Sequence, residues 1–160
     1  MSNFAKVAVL ISGGGTNLQA IIDRSAAGEL PHVELALVVS ERAGIKHAYI
    51  GKENFEQELM ALLEEHEIDI IVLAGFLKIL SSDFVSKYPD RIINVHPSLI
   101  PSFCGDGFYG LHVHEAALSY GVKVTGATVH FVNEVTDGGK IIAQRAVDIR
   151  EGDTPETLQR

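Results

Sequence analysis

The sequence holds a single cysteine, Cys104, so no intrachain disulfide can form and a reducing compartment is the simplest expectation. No apolar run reaches the roughly 18 residues that a membrane-spanning helix needs. The first ten residues lack the basic stretch, long apolar core and small-residue cleavage site of a secretory signal. These absences predict a cytoplasmic protein without a membrane partner. Lys and Arg are scarce, 13 against 21 Asp and Glu, for a formal net charge of −8. That deficit disfavours nonspecific nucleic-acid binding, which draws on clustered cations. An anionic small molecule remains a candidate ligand, because backbone N–H groups bind phosphate without net positive charge.

What is present is ordinary for a globular chain: 160 residues, 46% hydrophobic and 21% charged. That length predicts one domain able to bury about 70% of its unfolded surface. Strands are expected at 6–12, 33–40, 69–74, 91–95, 125–132 and 141–149, and helices at 18–24, 55–66, 82–88 and 113–120. In the helix at 55–66, Phe55, Leu59, Leu62 and Leu63 share a face. The β-α alternation implies an α/β, Rossmann-like, mostly parallel twisted sheet flanked by helices; the last two strands follow one another through a turn and should pair antiparallel. Residues 46–50 also look strand-like. They follow the strand at 33–40 too closely for a parallel crossover, which needs about a dozen residues. Either they do not form a neighbouring parallel strand, or a crossover helix is missing. Residues 153–156 read as a helix start.

Ser12-Gly13-Gly14-Gly15-Thr16-Asn17 joins the first strand to the first helix, with Thr16 or Asn17 as the expected cap. Glycine brings bare N–H groups close to a ligand, and the helix dipole favours an anion there. The turn is neither a P-loop, for no Gly-Lys-Ser/Thr follows, nor a full dinucleotide fingerprint, for Leu18 stands at the third glycine. The bland alternative is a plain tight turn with no ligand.

Asn94-Val95-His96-Pro97-Ser98 lies at the C-terminal end of an expected parallel strand, the edge where open α/β sheets bind ligands. Period-two alternation points Asn94 and His96 to the same side, and Pro97 keeps His96 extended. A carboxamide that donates to a carbonyl oxygen, beside an imidazole that exchanges protons, suits acyl transfer. The bland alternative is a turn cap and a histidine bonded to a loop carbonyl. Asp137-Gly138-Gly139 connects the last two strands; brought near His96, the carboxylate would favour the imidazolium. Whether the two meet has no local signature. Other candidates are weaker. His112 and His114 have no third ligand at metal spacing. His130 faces solvent or a polar pocket from its strand. Cys104 has no activating base, and Ser98 and Ser102 lack a nucleophile elbow.

With these motifs in place, the chain resembles the folate-dependent formyltransferases, and within them the phosphoribosylglycinamide formyltransferases. The resemblance rests on 11–22 around Ser12-Gly13-Gly14-Gly15-Thr16-Asn17-Leu18-Gln19, on 72–80, on 93–101 around Asn94-Val95-His96-Pro97-Ser98, and on 126–132 with Asp137-Gly138-Gly139. It implies transfer of the formyl group of 10-formyltetrahydrofolate, as co-substrate, to the amine of glycinamide ribonucleotide in purine synthesis, with no metal and no covalent enzyme intermediate. It further implies that Gly15, Thr16 and Asn17 hold the acceptor phosphate. Asn94 would polarise the formyl carbonyl and bind the folate. His96 would be the general acid and Asp137 its partner. Lys52, Leu77, Lys78, Ile79 and Leu80 would line the folate site. The expected assembly is a monomer or homodimer of one formyltransferase domain over 1–160, truncated at its C-terminus and shortened after Ser40 relative to the family. The loop at 103–110 is longer than in the simplest members.

The rival readings are a formyltetrahydrofolate hydrolase using the same three residues, and a noncatalytic nucleotide-binding α/β module. A methionyl-tRNA formyltransferase domain is disfavoured by the charge.

Overall fold

Val7 to Ile11 are buried on both faces of β1 (Ala5–Ile11), the condition of a strand flanked by parallel neighbours and covered by helices. The computed structural model describes residues 4–40, 48–49 and 53–160, with only the backbone of 48–49. Two compact units make up the chain, Met1–Ile93 and Asn94–Arg160.

In the first unit β1 pairs in parallel with β2 (Val33–Ser40), from Ala5↔Val33 to Ile11↔Ser40, with a slip between Val7 and Ala8. On its other edge β1 pairs in parallel with β4 (Ile70–Leu73), from Val7↔Ile70 to Leu10↔Leu73. The short β3 (Ala48–Tyr49) adds outside β2, also in parallel, through Val39↔Ala48 and Ser40↔Tyr49. Within the strand-like piece expected at 46–50, Ala48 and Tyr49 are therefore a neighbouring parallel strand, and 46, 47 and 50 lie outside the described residues. The residues that connect it, 41–47, lie outside the described ones, as does Lys52. The strand order is β3-β2-β1-β4, with the start of β5 (Ile92–His96) next.

The helices follow from local pattern. Phe55, Leu59 and Leu63, at i, i+4 and i+8, form the buried stripe of α2 (Phe55–Glu65). Leu62, expected on that face, is half-buried. Leu18 of α1 (Thr16–Ala26) packs with Val7, Val9, Ile11 and Ala74 in one cluster. Ser81 caps α3 (Ser82–Lys87) by accepting from the Phe84 N–H.

In the second unit the end of β5 neighbours β6 (Val124–Phe131), which pairs antiparallel with β7 (Ile141–Asp148), as the turn between them implied. Val113 and Ala117 bury the inner face of α4 (Leu111–Tyr120), which ends at left-handed Gly121. The helix start at 153–156 becomes α5 (Pro155–Gln159), capped reciprocally by the side chains of Thr154 and Thr157.

Candidate active site

β5 delivers Asn94 and His96 two residues apart at its C-terminal end, and both reach one buried polar cluster. His96 Nδ1 lies 3.5 Å from Asp137 Oδ2, and the two side chains are 4% and 10% exposed. The other nitrogen, Nε2, donates to the Phe103 carbonyl at 2.8 Å. Each nitrogen of the ring thus faces an oxygen acceptor. Asn94 Nδ2 donates to His130 Nε2 at 3.2 Å. The other nitrogen of His130 donates to the Phe131 carbonyl at 2.9 Å, which fixes the neutral tautomer with its lone pair on Nε2. His130 Nε2 is also 3.7 Å from Asp137 Oδ1.

Asp137 is held at φ 55, a left-handed conformation that aspartate tolerates, and its Oδ2 accepts the Gly105 N–H at 2.9 Å. The loop at 103–110 therefore grips the pair from both sides: the carbonyl of Phe103 takes His96, and the amide of Gly105 takes Asp137. Ser98, fully buried, supports it by donating to the Ser102 carbonyl at 2.6 Å.

Burial works against a charge on Asp137, but the His130 contact, the Gly105 N–H and the positive field of the two histidines outweigh it and hold the carboxyl below its ordinary range. For His130, burial pulls the imidazole down, while Asp137 and the Phe131 carbonyl lift it above its usual value. A depressed carboxylate stabilises the fold above its unfolded pKa of about 3.9, and that contribution is lost as pH falls through the lower folded value. A raised imidazole stabilises below about 6.5, and its contribution is lost as pH rises through the higher folded value. The pair is therefore fully stabilising between about pH 4 and 6.5. Urea midpoints of the parent and Asp137→Asn should differ most in that window, and the gap should narrow as pH is raised above it through the raised imidazole value. A gap independent of pH counts against the pairing.

The sequence alone allows His130 either solvent or a polar pocket; in the fold it is 2% exposed and central. Its alternation with Val129 and Phe131 on a strand was the available signal, since a buried imidazole needs a polar partner. His112 and His114 do not converge. His112 is exposed beside Glu115 at 3.0 Å. His114 is buried, neither ring nitrogen has a hydrogen-bond partner among the described residues, and burial and nearby His96 pull its pKa down. Cys104 donates to the Pro101 carbonyl at 3.3 Å, and burial with the Asp137 charge raises its pKa, the opposite of an activated thiol.

In the first unit the glycine turn opens α1, but not as expected: Gly15, at φ 78, is the N-cap, and no side chain caps the helix. The left-handed glycine starts the helix at Thr16, and the Gln19 N–H closes the first turn on the Gly15 carbonyl at 2.8 Å. The amides of 15–17 are thus the free ends of a helix, as an anion cradle requires. A Cβ added at Gly13 or Gly14 would meet no atom of the described residues within 4 Å, so no described side chain packs at those two positions.

Leu77, Lys78, Ile79 and Leu80 follow β4 on a loop anchored at both ends. Leu77 donates its N–H to Ser12 Oγ at 2.9 Å, and Ser81 donates both N–H and Oγ–H to the Glu56 carboxylate. Lys78 Nζ sits 3.9 Å over the Phe55 ring. Leu77 and Ile79 project outwards, 59% and 80% exposed.

Residues 45–160 match the family model described as formyl transferase. The human trifunctional purine biosynthetic protein adenosine-3 is 45% identical over 171 residues, which cover 96% of this chain and 16% of that protein. The chain thus spans about a sixth of the length of the trifunctional relatives it matches. Phosphoribosylglycinamide formyltransferase from Haemophilus influenzae is 38% identical, over 96% of this chain and 78% of that one. The crystal structure of glycinamide ribonucleotide transformylase 1 from Symbiobacterium toebii superposes with a TM-score of 0.87 at 36% identity, covering 99% of this chain and 80% of that one.

Proposed function

The chain belongs to the formyl transferase family, and on that premise we propose that it transfers the formyl group of 10-formyltetrahydrofolate to the amine of glycinamide ribonucleotide. The observation that carries this reading is the convergence of Asn94, His96 and Asp137, with His130, in one buried cluster at the C-terminal end of β5.

The amine nitrogen attacks the formyl carbon and forms the new C–N bond. Asn94 donates to the carbonyl oxygen, whose negative charge grows in the tetrahedral intermediate. The bond from that carbon to N10 of the folate then breaks, and His96 protonates the departing nitrogen. The proton lost by the amine restores the imidazole, so the enzyme ends unchanged. The His96 Nε2 proton rests on the Phe103 carbonyl, and delivering it requires that hydrogen bond to be exchanged for the leaving nitrogen. Asp137 holds the ring and offsets its charge. Gly15, Thr16 and Asn17 take the acceptor phosphate through main-chain N–H groups. Leu77, Lys78, Ile79 and Leu80 take the folate; Lys52, assigned to the same site, lies outside the described residues. The compartment is the cytoplasm, and the partners are these small molecules, for a monomer or a homodimer. No helix among the described residues is long and apolar enough to cross a membrane.

The test is a formyl-transfer assay that follows tetrahydrofolate release with and without glycinamide ribonucleotide. Release that depends on the acceptor is expected. Release that ignores it identifies a hydrolase, and no release from a folded protein leaves a noncatalytic binding module.

The cradle has its own test. Gly14 has no positive φ and its Cβ position is open, so Gly14→Ala should fold with an unchanged or slightly raised melting temperature. The added methyl stands where the phosphate approaches the amides. KM for the acceptor should rise about tenfold or more, the scale of losing a hydrogen bond to a charged group, with little change in the folate KM. An unaltered acceptor KM in that variant removes the phosphate from this turn.

A further inference from the structure

Ser12 stands where the two candidate binding elements of the first unit meet. It follows the last residue of β1 and precedes Gly13, so its main chain leads directly into the glycine turn. Its N–H donates to the Gly75 carbonyl at 3.2 Å, which carries the pairing of β1 past the end of β4. Its Oγ accepts the Leu77 N–H at 2.9 Å, across 65 residues of sequence. One buried residue thus laces the start of the turn to the start of the loop that carries Leu77 and Ile79.

We propose that Ser12 couples the two substrates: a phosphate held in the glycine turn tightens the loop of 75–80 for the folate, and the folate tightens the turn for the phosphate, through the Ser12–Leu77 hydrogen bond. The inference rests on the assignment of turn and loop made above. The turn is where such a bond has leverage. Gly13 and Gly14 have no side chains, and nothing described lies where their Cβ atoms would be, so no side-chain packing at these two positions competes with Ser12 among the described residues. The side chains of the loop are secured elsewhere, by Glu56 on Ser81, by Lys78 over Phe55 and by buried Phe76 stacked on Phe55 at 5.8 Å, while the main-chain N–H of Leu77 is tied to the glycine turn through Ser12. A ligand that orders the turn suppresses opening of the Ser12–Leu77 bond. The second ligand then finds its loop already ordered and loses less entropy on binding, which is positive cooperativity without a change of fold. Linkage makes the effect equal in both directions.

The experiment is calorimetric titration of the full chain with tetrahydrofolate, alone and with saturating glycinamide ribonucleotide, and the reverse pair. The parent should bind each ligand about fivefold tighter in the presence of the other, the lower end of ordinary coupling. Ser12→Ala should bring both ratios to near one, and Ser12→Thr, which keeps an acceptor oxygen, should restore them. A merely structural serine would shift each affinity alone and leave the ratio intact, so Ser12→Ala with the parent's ratio overturns the proposal. Two ligands that bind the parent independently overturn it as well, without touching the functional reading; two ligands that fail to bind the parent overturn both. Should Ser12→Ala not fold, amide exchange in the parent decides. Slower exchange at the Leu77 N–H when the acceptor alone is bound supports the coupling, and unchanged exchange rejects it.

Discussion

His96→Ala should lower turnover by about 10²-fold or more, the usual scale of losing a positioned acid-base group. The fall should appear equally in kcat and kcat/KM, because a proton delivered to the leaving nitrogen matters only in the transition state. Folate and acceptor affinities should stay close to those of the parent, since neither the glycine turn nor the loop of 75–80 includes this residue. Folding should survive. The imidazole is buried, but the Phe103 carbonyl it releases still faces Ser98 Oγ at 3.3 Å, so removing the ring costs a cavity rather than a wholly orphaned acceptor. The measurement is steady-state kinetics with both substrates varied, beside a thermal melt. Near-normal turnover in a folded His96→Ala protein removes the mechanism. A large rise in KM with kcat intact would instead make His96 a binding residue.

The parts of this site that could be read from the sequence are those set by local chain geometry. Alternation along β5 put Asn94 and His96 on one side, and both enter the same cluster. The apolar run at 33–40 coincides with β2, and the stripe of Phe55, Leu59 and Leu63 is the buried face of α2. What escaped depends on contacts between distant residues or on unusual backbone. Asp137 meets Gly105 across 32 residues and Asn94 meets His130 across 36, and neither pairing leaves a trace in the intervening sequence. The glycines of 103–110 announced a turning loop. They did not announce that Phe103, itself at φ 49, would aim its carbonyl at His96. Side-chain capping, the commoner device, points to Thr16 or Asn17 as the cap of α1; a left-handed glycine takes the position instead and leaves the amides of the first turn uncapped. The same free amides that make this a poor cap make it a candidate anion site, so the local rule failed at a residue with a functional assignment.

Gly139→Ala should be among the most damaging single substitutions for stability, and the reason bears on why two glycines follow Asp137. A Cβ at Gly139 would lie 1.6 Å from the Phe131 carbonyl oxygen and 2.6 Å from its carbon. Those are main-chain atoms at the end of β6, tied by the Phe131 N–H to the Lys140 carbonyl at 2.9 Å, so neither side has a flexible group that can give way. The β6–β7 connection itself must shift. The expected cost is about 3 kcal/mol or more, at the upper end of overpacking, or a melting temperature lower by roughly 6–12 °C for a chain of this size. Gly138→Ala is the contrast. There the clash is with Val135, an exposed loop residue, and the cost should be distinctly smaller. Activity should follow the same order, because Phe131 also accepts from His130, and moving its carbonyl disturbs the imidazole that faces Asp137. Urea unfolding of the two variants, read beside their turnover at a temperature where both are folded, checks the order. Equal stability for the two would mean that the connection is soft. The aspartate would then owe its place to the Gly105 amide and the two histidines rather than to the close approach of Gly139 to the strand.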